Sequence, residues 1–594
     1  MAKQKKKVNQ KSDASFNKAQ QGAQAAEKMQ AQEKAGDEKR GSRMKAERRT
    51  AAAKPSGFAS GAAFAWALGM VTVFPLIWND YYFNILETKY MTLIILSMIL
   101  FTAMFLWGLV SGSLVGLFRN AGAGIRENGF FRWVRNTFSV TDLSVIAFYL
   151  ISAIATAGAG KYVREALTGN EGRFVGFYYL QILCVAYFIV SRNLKFDSRI
   201  VTAFLLVAWL VLLFGITDFY DMNILHFKDH MTARQHALFT STIGNINTYT
   251  VYVGLVLALA GALFILSEES MGRTLFYFAT MTLAFMALAM GSSDNGYLTL
   301  GAFFGFLPFA AFRTWRGIRR YFLTLTVFFA DIAWVAHEMH TKETLEIDGL
   351  FNVIAESKYL MPLTAALGIF TAGLFVWERS RGRNAGGKAA DGAAPAILWK
   401  LWGAFVTASA AFVVLSLVRA NGMTMEEAQE AYGPFAAYLK FTDSWGTNRG
   451  YVWRVMFEEY EKLPLRQKIT GTGPDTFAVY MAINRYQEMV TQTHQTYDSV
   501  HNEYLQYLFT IGPFGLAAYL MIIISSVTAA FRKAMRIMAG TDLTTARKYA
   551  PYLWAMGFLL ICYSAQATVN ITVPLVAPLV WLFVMMVQAS VRGN

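Results

Sequence analysis

A chain of 594 residues that is 55% hydrophobic and 15% aromatic, with a mean hydropathy of +0.34 and only 16% charged residues, is too apolar for a soluble protein of several domains. Its two cysteines, Cys184 and Cys562, fall inside long apolar runs, which excludes a disulfide framework and a cysteine metal site. The formal charge of +15 does not mark a nucleic-acid binder, because much of the excess lies in the opening segment from Met1 to Lys54.

That segment, rich in Lys, Arg, Gln and Ala, predicts a basic cytoplasmic tail over 1–57, disordered or transiently helical on an anionic membrane surface. It is too long for the basic part of a signal peptide, and the apolar run after it lacks a small-residue cleavage site. From there, runs of the roughly 17 to 25 apolar residues that cross about 30 Å of hydrocarbon recur along the chain. They predict spans at 58–78, 91–117, 140–158, 174–191, 200–217, 246–267, 274–291, 297–312, 321–337, 359–377 and 399–418, then 505–530, 551–568 and 571–591. The fold class is thus an all-α, polytopic membrane bundle of about fourteen transmembrane helices, eleven within 58–418 and three within 501–594. Basic residues collect in alternate connections: Arg119, Arg126, Arg132 and Arg135; Arg192, Lys195 and Arg199; Arg273; Arg313 to Arg320; Arg379 to Lys388; Arg532 to Lys548. Acids gather in the others, with Asp218, Asp221 and Asp229, then Glu338, Glu343, Glu346, Asp348 and Glu356. The positive-inside rule therefore places this protein in the cell (plasma or inner) membrane with both termini cytoplasmic.

One connection, 419–500, is too long and polar to be a mere loop, and reads as a small helical extracytoplasmic subdomain. Asn448–Leu463 sets Trp453, Met456, Phe457 and Tyr460 on one face, with Thr447 or Asn448 as N-cap and Pro464 past the end. A turn follows at Gly471-Thr472-Gly473-Pro474, then a second helix over Asp475–Val490. At Ser499-Val500-His501-Asn502-Glu503-Tyr504-Leu505-Gln506 a polar patch turns into a membrane helix, with Asn502 and Gln506 on one face. His501 there is either an interfacial cap or a general base, reachable from water and with an ordinary pKa near 6.5. His337 and His340 sit at i and i+3 without a third ligand of clear spacing, so interfacial histidines explain them better than a metal site. Asp331 lies inside an apolar run, either functional or bonded within the bundle.

The sequence His501-Asn502-Glu503-Tyr504-Leu505-Gln506, followed by Ile511-Gly512-Pro513-Phe514-Gly515-Leu516, resembles the signature of the O-antigen ligase and O-antigen polymerase family. Arg449-Gly450-Tyr451-Val452-Trp453, Leu463-Pro464 and Gly471-Thr472-Gly473-Pro474 are similar to that family's loop motifs. Ser241 to Asn247 resembles its Gly-Asn-x-Asn segment, and Gln566 to Ile571 its closing pattern. The resemblance implies a metal-independent, inverting glycosyltransferase without a cofactor. Its partners would be a polyprenyl-diphosphate-linked oligosaccharide donor, a glycan or lipid acceptor and membrane lipids, with no nucleic acid. His501 would be the catalytic base. Negative charge on a departing diphosphate needs fixed cations, and with no Asp-x-Asp pair in sight arginine is the candidate, its planar fork matching phosphate oxygens. Arg449 matches the family's loop arginine, with Asn502 and Gln506 beside the histidine. The chain departs at Gly291-Ser292-Ser293-Asp294-Asn295-Gly296, where Asp294 stands at an expected arginine. A second phosphate clamp must then come from Arg173, Arg454 or Arg234. Ligase and polymerase share these motifs; a flippase-like transporter and a non-catalytic assembly scaffold are the competing readings.

Overall fold

In hydrocarbon each backbone N–H and C=O must find its partner inside the chain, so the apolar runs fold as helices. The computed structural model describes residues 56–347, 349–384, 392–540 and 542–593, apart from the side chains of 233–234, 381–384 and 543–547. The expected basic tail, Asp348 and Lys388 lie outside the described residues. Strand structure among those residues is confined to a two-residue hairpin, Phe239–Thr240 with Gly244–Asn245.

Among the described residues eleven helices are long and apolar enough to cross a membrane: Gly57–Leu76, Ile85–Val110, Val140–Ala157, Ser198–Phe219, Ile246–Leu266, Met271–Met290, Trp315–Thr341, Leu360–Ser380, Ala396–Asn421, Glu503–Ala539 and Lys548–Val569. The other three expected spans are shorter helices, Phe177–Asn193, Asn295–Phe306 and Ala577–Arg592. Length and composition thus carry eleven of the fourteen expected spans among the described residues. The expected 91–117 run stops at Val110, because Gly112 takes a left-handed φ of 67° and a separate helix, Ser113–Asn128, begins. Burial separates centre from rim: 94% of the apolar window of Ile246–Leu266 is inside the protein, against 6% for Ala396–Asn421. Residues 119–138 form a unit of their own, a helical hairpin in which the Trp133 indole lies against Gly124.

Hydrogen bonds sort the connections of the larger unit to two ends. At one end Arg592 donates to Ser191 and pairs with Asp142, Arg316 pairs with Glu268, and Arg320 donates to the carbonyl of Phe264. At the other, Leu345 N donates to Phe219 O, Arg173 pairs with Asp498, and Asn570 donates to Asn247 O. The long 421–502 connection belongs to this second end and holds more helices than expected. Arg485 breaks the expected 475–490 helix into Phe477–Asn484 and Tyr486–Thr493, its guanidinium drawn to Glu458, Glu459 and Glu488.

The helix Glu503–Ala539 is interrupted at Gly512, where φ is 73° and ψ 176°, and at Pro513. Proline has no N–H, so the carbonyl of Phe509 loses its helical donor, and the break frees that of Thr510 as well. Thr472 N donates to Phe509 O at 3.1 Å and Gly473 N to Thr510 O at 2.8 Å. The Gly-x-Gly turn and the Gly-Pro break are thus one device, and Gly471 is the residue that lets the strands of chain meet. Its φ is +81°, and a Cβ there would fall 2.2 Å from Thr510 O. Gly471→Ala should destabilise the purified protein by at least ~1–2 kcal/mol from the left-handed backbone alone, whereas Gly301→Ala, with nothing within 4 Å, should leave the melting temperature in detergent nearly unchanged.

Candidate active site

A buried polar network gathers three sequence motifs beneath the second end. The Asn247 side-chain oxygen accepts from Ser293 at 2.7 Å, and the Asn295 side-chain oxygen accepts from Thr250 at 2.5 Å and Gln566 at 2.8 Å. Asn570 donates to Asn247 O at 3.1 Å, and Thr299 donates to Gln566 at 2.9 Å. Buried amides of this kind are stable only when both ends are satisfied, which fixes the three segments against each other. From the same patch Val569 O accepts a bond from Arg449 Nε at 3.1 Å.

Arg449 begins the regular part of its helix. The expected N-cap residues Thr447 and Asn448, with Gly446, instead form a left-handed turn, with φ values of 60°, 67° and 59°. Left-handed backbone at a β-branched residue is costly and persists only where the surroundings impose it. Here the chain doubles back so that Thr442 O lies where a Cβ on Gly450 would be, at 1.9 Å, and Arg449 Nη1 donates to Gly446 O at 2.6 Å. Both recorded partners of the Arg449 guanidinium are carbonyls; among the described residues no carboxylate stands within ion-pair distance of it.

His501 sits in the turn before the membrane helix, with a φ of 53°. Asn502 caps that helix, its side chain accepting from Tyr504 N and Leu505 N at 3.0 and 3.1 Å. Gln506 accepts from Val500 N at 3.0 Å, and Trp453 Nε1 donates to Val500 O at 3.0 Å. Asn502 and Gln506 therefore shape the turn that presents His501. The ring's Nδ1 lies 3.1 Å from Ser499 O, which can only accept, and 3.2 Å from Ser499 Oγ, which can donate or accept, so the arrangement that satisfies the carbonyl puts the proton on Nδ1. Nε2 is left with its lone pair and no hydrogen-bond partner among the described residues. Burial, then the guanidiniums of Arg173 and Arg449, hold the imidazole below its ordinary pKa, against Ser499 and Asp498, so the ring is neutral near pH 7.

The arginines named from sequence fare differently. Arg173 reaches the site and grips Asp498 with two nitrogens, Nε at 2.8 Å. Burial alone would raise the Asp498 carboxyl, but Arg173 outweighs it and holds it below the carboxylate range. Arg454 is not brought to His501: its fork is filled by Asp443, at 3.0 and 2.7 Å, and by Glu458 at 2.6 Å. The side chain of Arg234 lies outside the described residues. Asp294, at the position of the expected arginine, accepts from Leu350 N at 2.8 Å and from Tyr438 at 2.7 Å, and its charge acts on Arg449. Its carboxylate latches two connections to the site rather than binding an anion.

Two acids escaped the sequence reading. Glu503, beside His501, is buried and accepts from Tyr519 and Tyr563, both at 2.7 Å. Asp475, noticed only as a helix start, is buried and accepts from Asn170 N at 2.7 Å and Val175 N at 3.1 Å, the two ends of the loop that carries Arg173. An acid directly after a Gly-x-Gly-Pro turn was the signal available for it. Away from the site, His340 Nδ1 lies 2.6 Å from the carbonyl of Ala336, and one oxygen of Asp331 is buried without a partner among the described residues.

Residues 350–520 match the family model described as O-Antigen ligase. The resemblance drawn from the motifs is thereby borne out: this stretch, which contains Arg449, His501 and the Gly-Pro break, is similar to the O-antigen ligase family, on a chain with multiple helices apolar enough to cross a membrane. Arg173, Asn247, Asp294 and Gln566 lie outside the matched residues. No curated protein matches the chain at a significant level.

Burial lifts the Asp475 carboxyl from 3.8 to about 7, against the opposing pull of the Asn170 and Val175 amides and Arg173. A carboxyl whose pKa is raised by folding contributes stability that is complete below its unfolded value and is lost as pH rises through the folded one. The melting temperature of the purified protein should therefore fall between pH 3.8 and about 7 on account of Asp475, and Asp475→Asn should flatten that slope by about one proton's worth.

Proposed function

We propose that this protein is a metal-independent, inverting glycosyltransferase of cell-envelope polysaccharide assembly, moving a glycan from a polyprenyl-diphosphate-linked donor to a glycan or lipid acceptor at the outer face of the membrane. The observation that carries the reading is the pairing of a neutral imidazole, its Nε2 unengaged, with an arginine whose recorded partners are carbonyls alone. The acceptor hydroxyl gives its proton to Nε2 of His501 while its oxygen attacks the anomeric carbon from the face opposite the diphosphate. The bond from that carbon to the diphosphate oxygen breaks, and the polyprenyl diphosphate leaves with the electron pair. Arg449 and Arg173 meet the charge that develops on it, Arg173 by exchanging Asp498 for phosphate oxygens.

The outer-face assignment is supported by the charge of the connections, since within the larger unit the basic groups of Arg316, Arg320 and Arg592 lie at the end opposite His501. In this reading Phe177–Asn193, Asn295–Phe306 and Ala577–Arg592 complete fourteen crossings, with both termini cytoplasmic, and 419–500 is the extracytoplasmic subdomain. A transporter has less support, because the buried amide network and the His501 turn lie toward one end of the bundle rather than around a midplane charge.

His501→Ala should lower glycan transfer by roughly 10²- to 10⁴-fold while the lipid-linked donor still binds, and near-normal transfer by this variant would falsify the base assignment. Arg449→Lys, which keeps a charge but loses the fork, should weaken both donor binding and turnover. The acid limb of the rate profile should lie below pH ~6.5, where an ordinary histidine titrates. Chelator should leave the rate unchanged; strict dependence on magnesium or manganese would overturn the arginine assignment. Impermeant thiol reagents on intact cells should reach single cysteines placed in 420–500 but none placed at Arg132, Arg316 or Lys533.

A further inference from the structure

Phe441, Trp445 and Trp453 form a connected cluster of rings, with centroids 4.7 Å apart for Phe441 and Trp445, 5.1 Å for Trp445 and Trp453, and 6.1 Å for Phe441 and Trp453. Phe441 is 45% exposed and the two indoles are half-buried. Both indole N–H groups are spent on backbone: Trp445 donates to Tyr438 O at 3.1 Å and Trp453 to Val500 O at 3.0 Å. The indoles thus have no N–H to spare for a ligand, and what they can give one is ring surface. Their place in the chain is also specific. Trp445 and Arg449 flank the left-handed turn at Gly446, Thr447 and Asn448, Trp453 follows Arg449 by one helical turn, and the Trp453 bond holds the residue next to His501. Strained backbone is thus maintained where it seats an aromatic ring beside the arginine and the base.

We propose that these three rings are a stacking platform for a pyranose ring of the glycan, resting on the reading of the protein as a glycan transferase. A sugar's C–H face is apolar and weakly positive, which suits the negative face of an aromatic ring. The diphosphate lies on one side of the anomeric carbon and the sugar on the other, so a base and an arginine that bracket that carbon need a surface for the sugar within a few ångströms. The polyprenyl tail stays in the bilayer, whereas the rings belong to the 421–502 connection. The same stretch brings Thr442, Ser444 and Asn448, whose hydroxyl and amide groups are of the kind that bind sugar hydroxyls.

The experiment compares binding of two lipids to the full chain in nanodiscs: polyprenyl diphosphate bearing the oligosaccharide extracted from the producing cells, and the same polyprenyl diphosphate without sugar. Phe441→Ala and Trp445→Ala should each weaken binding of the glycosylated lipid by roughly three- to tenfold and leave the bare lipid unaffected, while Trp445→Phe restores most of the loss. Equal weakening of both lipids would assign the rings to the lipid or to the fold, and no change in either would remove them from the site; each result overturns the platform. Melting temperatures of the variants identify any loss that is due to unfolding. Wild-type protein that binds the glycosylated lipid more tightly than the bare one but transfers no sugar would sink the transferase reading and leave the platform standing. Wild-type transfer with unimpaired alanine variants would do the reverse.

Discussion

A helix that crosses a bilayer cannot leave carbonyls bare, and the second end of this molecule is organised around a break in the long helix Glu503–Ala539 that frees two of them. Pro513 and the left-handed Gly512 release the carbonyls of Phe509 and Thr510, and the amides of Thr472 and Gly473 come down to meet them. That requirement fixes Gly471 to Gly473 at the bundle surface, and two residues further on Asp475 is fixed with them. Asp475 in turn fastens both ends of the loop carrying Arg173. The same broken helix starts at Glu503, so His501 is placed by the element whose break seats the arginine loop. Acid, arginine and histidine are therefore held in one frame by two hydrogen bonds to backbone oxygen.

The sequence made much of this frame legible, because the physics of a bilayer leaves a long trace. Apolar runs mark helices reliably, and alternating charge marks the sides. The Gly-x-Gly and Gly-Pro motifs could be read as motifs, but not as partners, since which carbonyl a loop amide meets is decided by packing between segments about forty residues apart. The left-handed turn at Gly446, Thr447 and Asn448 was illegible for a related reason. Thr447 and Asn448 are good N-cap residues, and local propensity favours a cap there. The close approach of Thr442 O to Gly450 overrides it.

Ranking the arginines needed structure most. In sequence Arg449 stands out by its match to a loop motif, whereas Arg173 and Arg454 are cations of polar connections that nothing local ranks firmly. What separates them is the carboxylates each one meets: Asp443 and Glu458 for Arg454, Asp498 for Arg173, and carbonyls alone for Arg449. An arginine with two carboxylates loses more than it gains by turning to a phosphate, since breaking either pair strands a charge. An arginine held only by carbonyl oxygens breaks no ion-pair contact when it turns to an anion.

The same reasoning gives Asp498 and Asp294 a place. Two guanidiniums beside a histidine would repel one another and drive the imidazole's proton off too far for it to act as a base. Asp498 offsets that field at Arg173 and His501, and Asp294 offsets it at Arg449 without an ion-pair contact. The two carboxylates thereby limit the positive charge felt by the imidazole, which in the proposed reaction must both leave room for a diphosphate and let Nε2 accept a proton. Asp294 standing where an arginine is expected fits this balance: with Arg173 supplied from the 158–176 connection, a third cation at position 294 would depress the imidazole further. In the proposed site, Asp294 and Arg173 are then two sides of one electrostatic arrangement, with Asp475 holding the loop that carries the arginine.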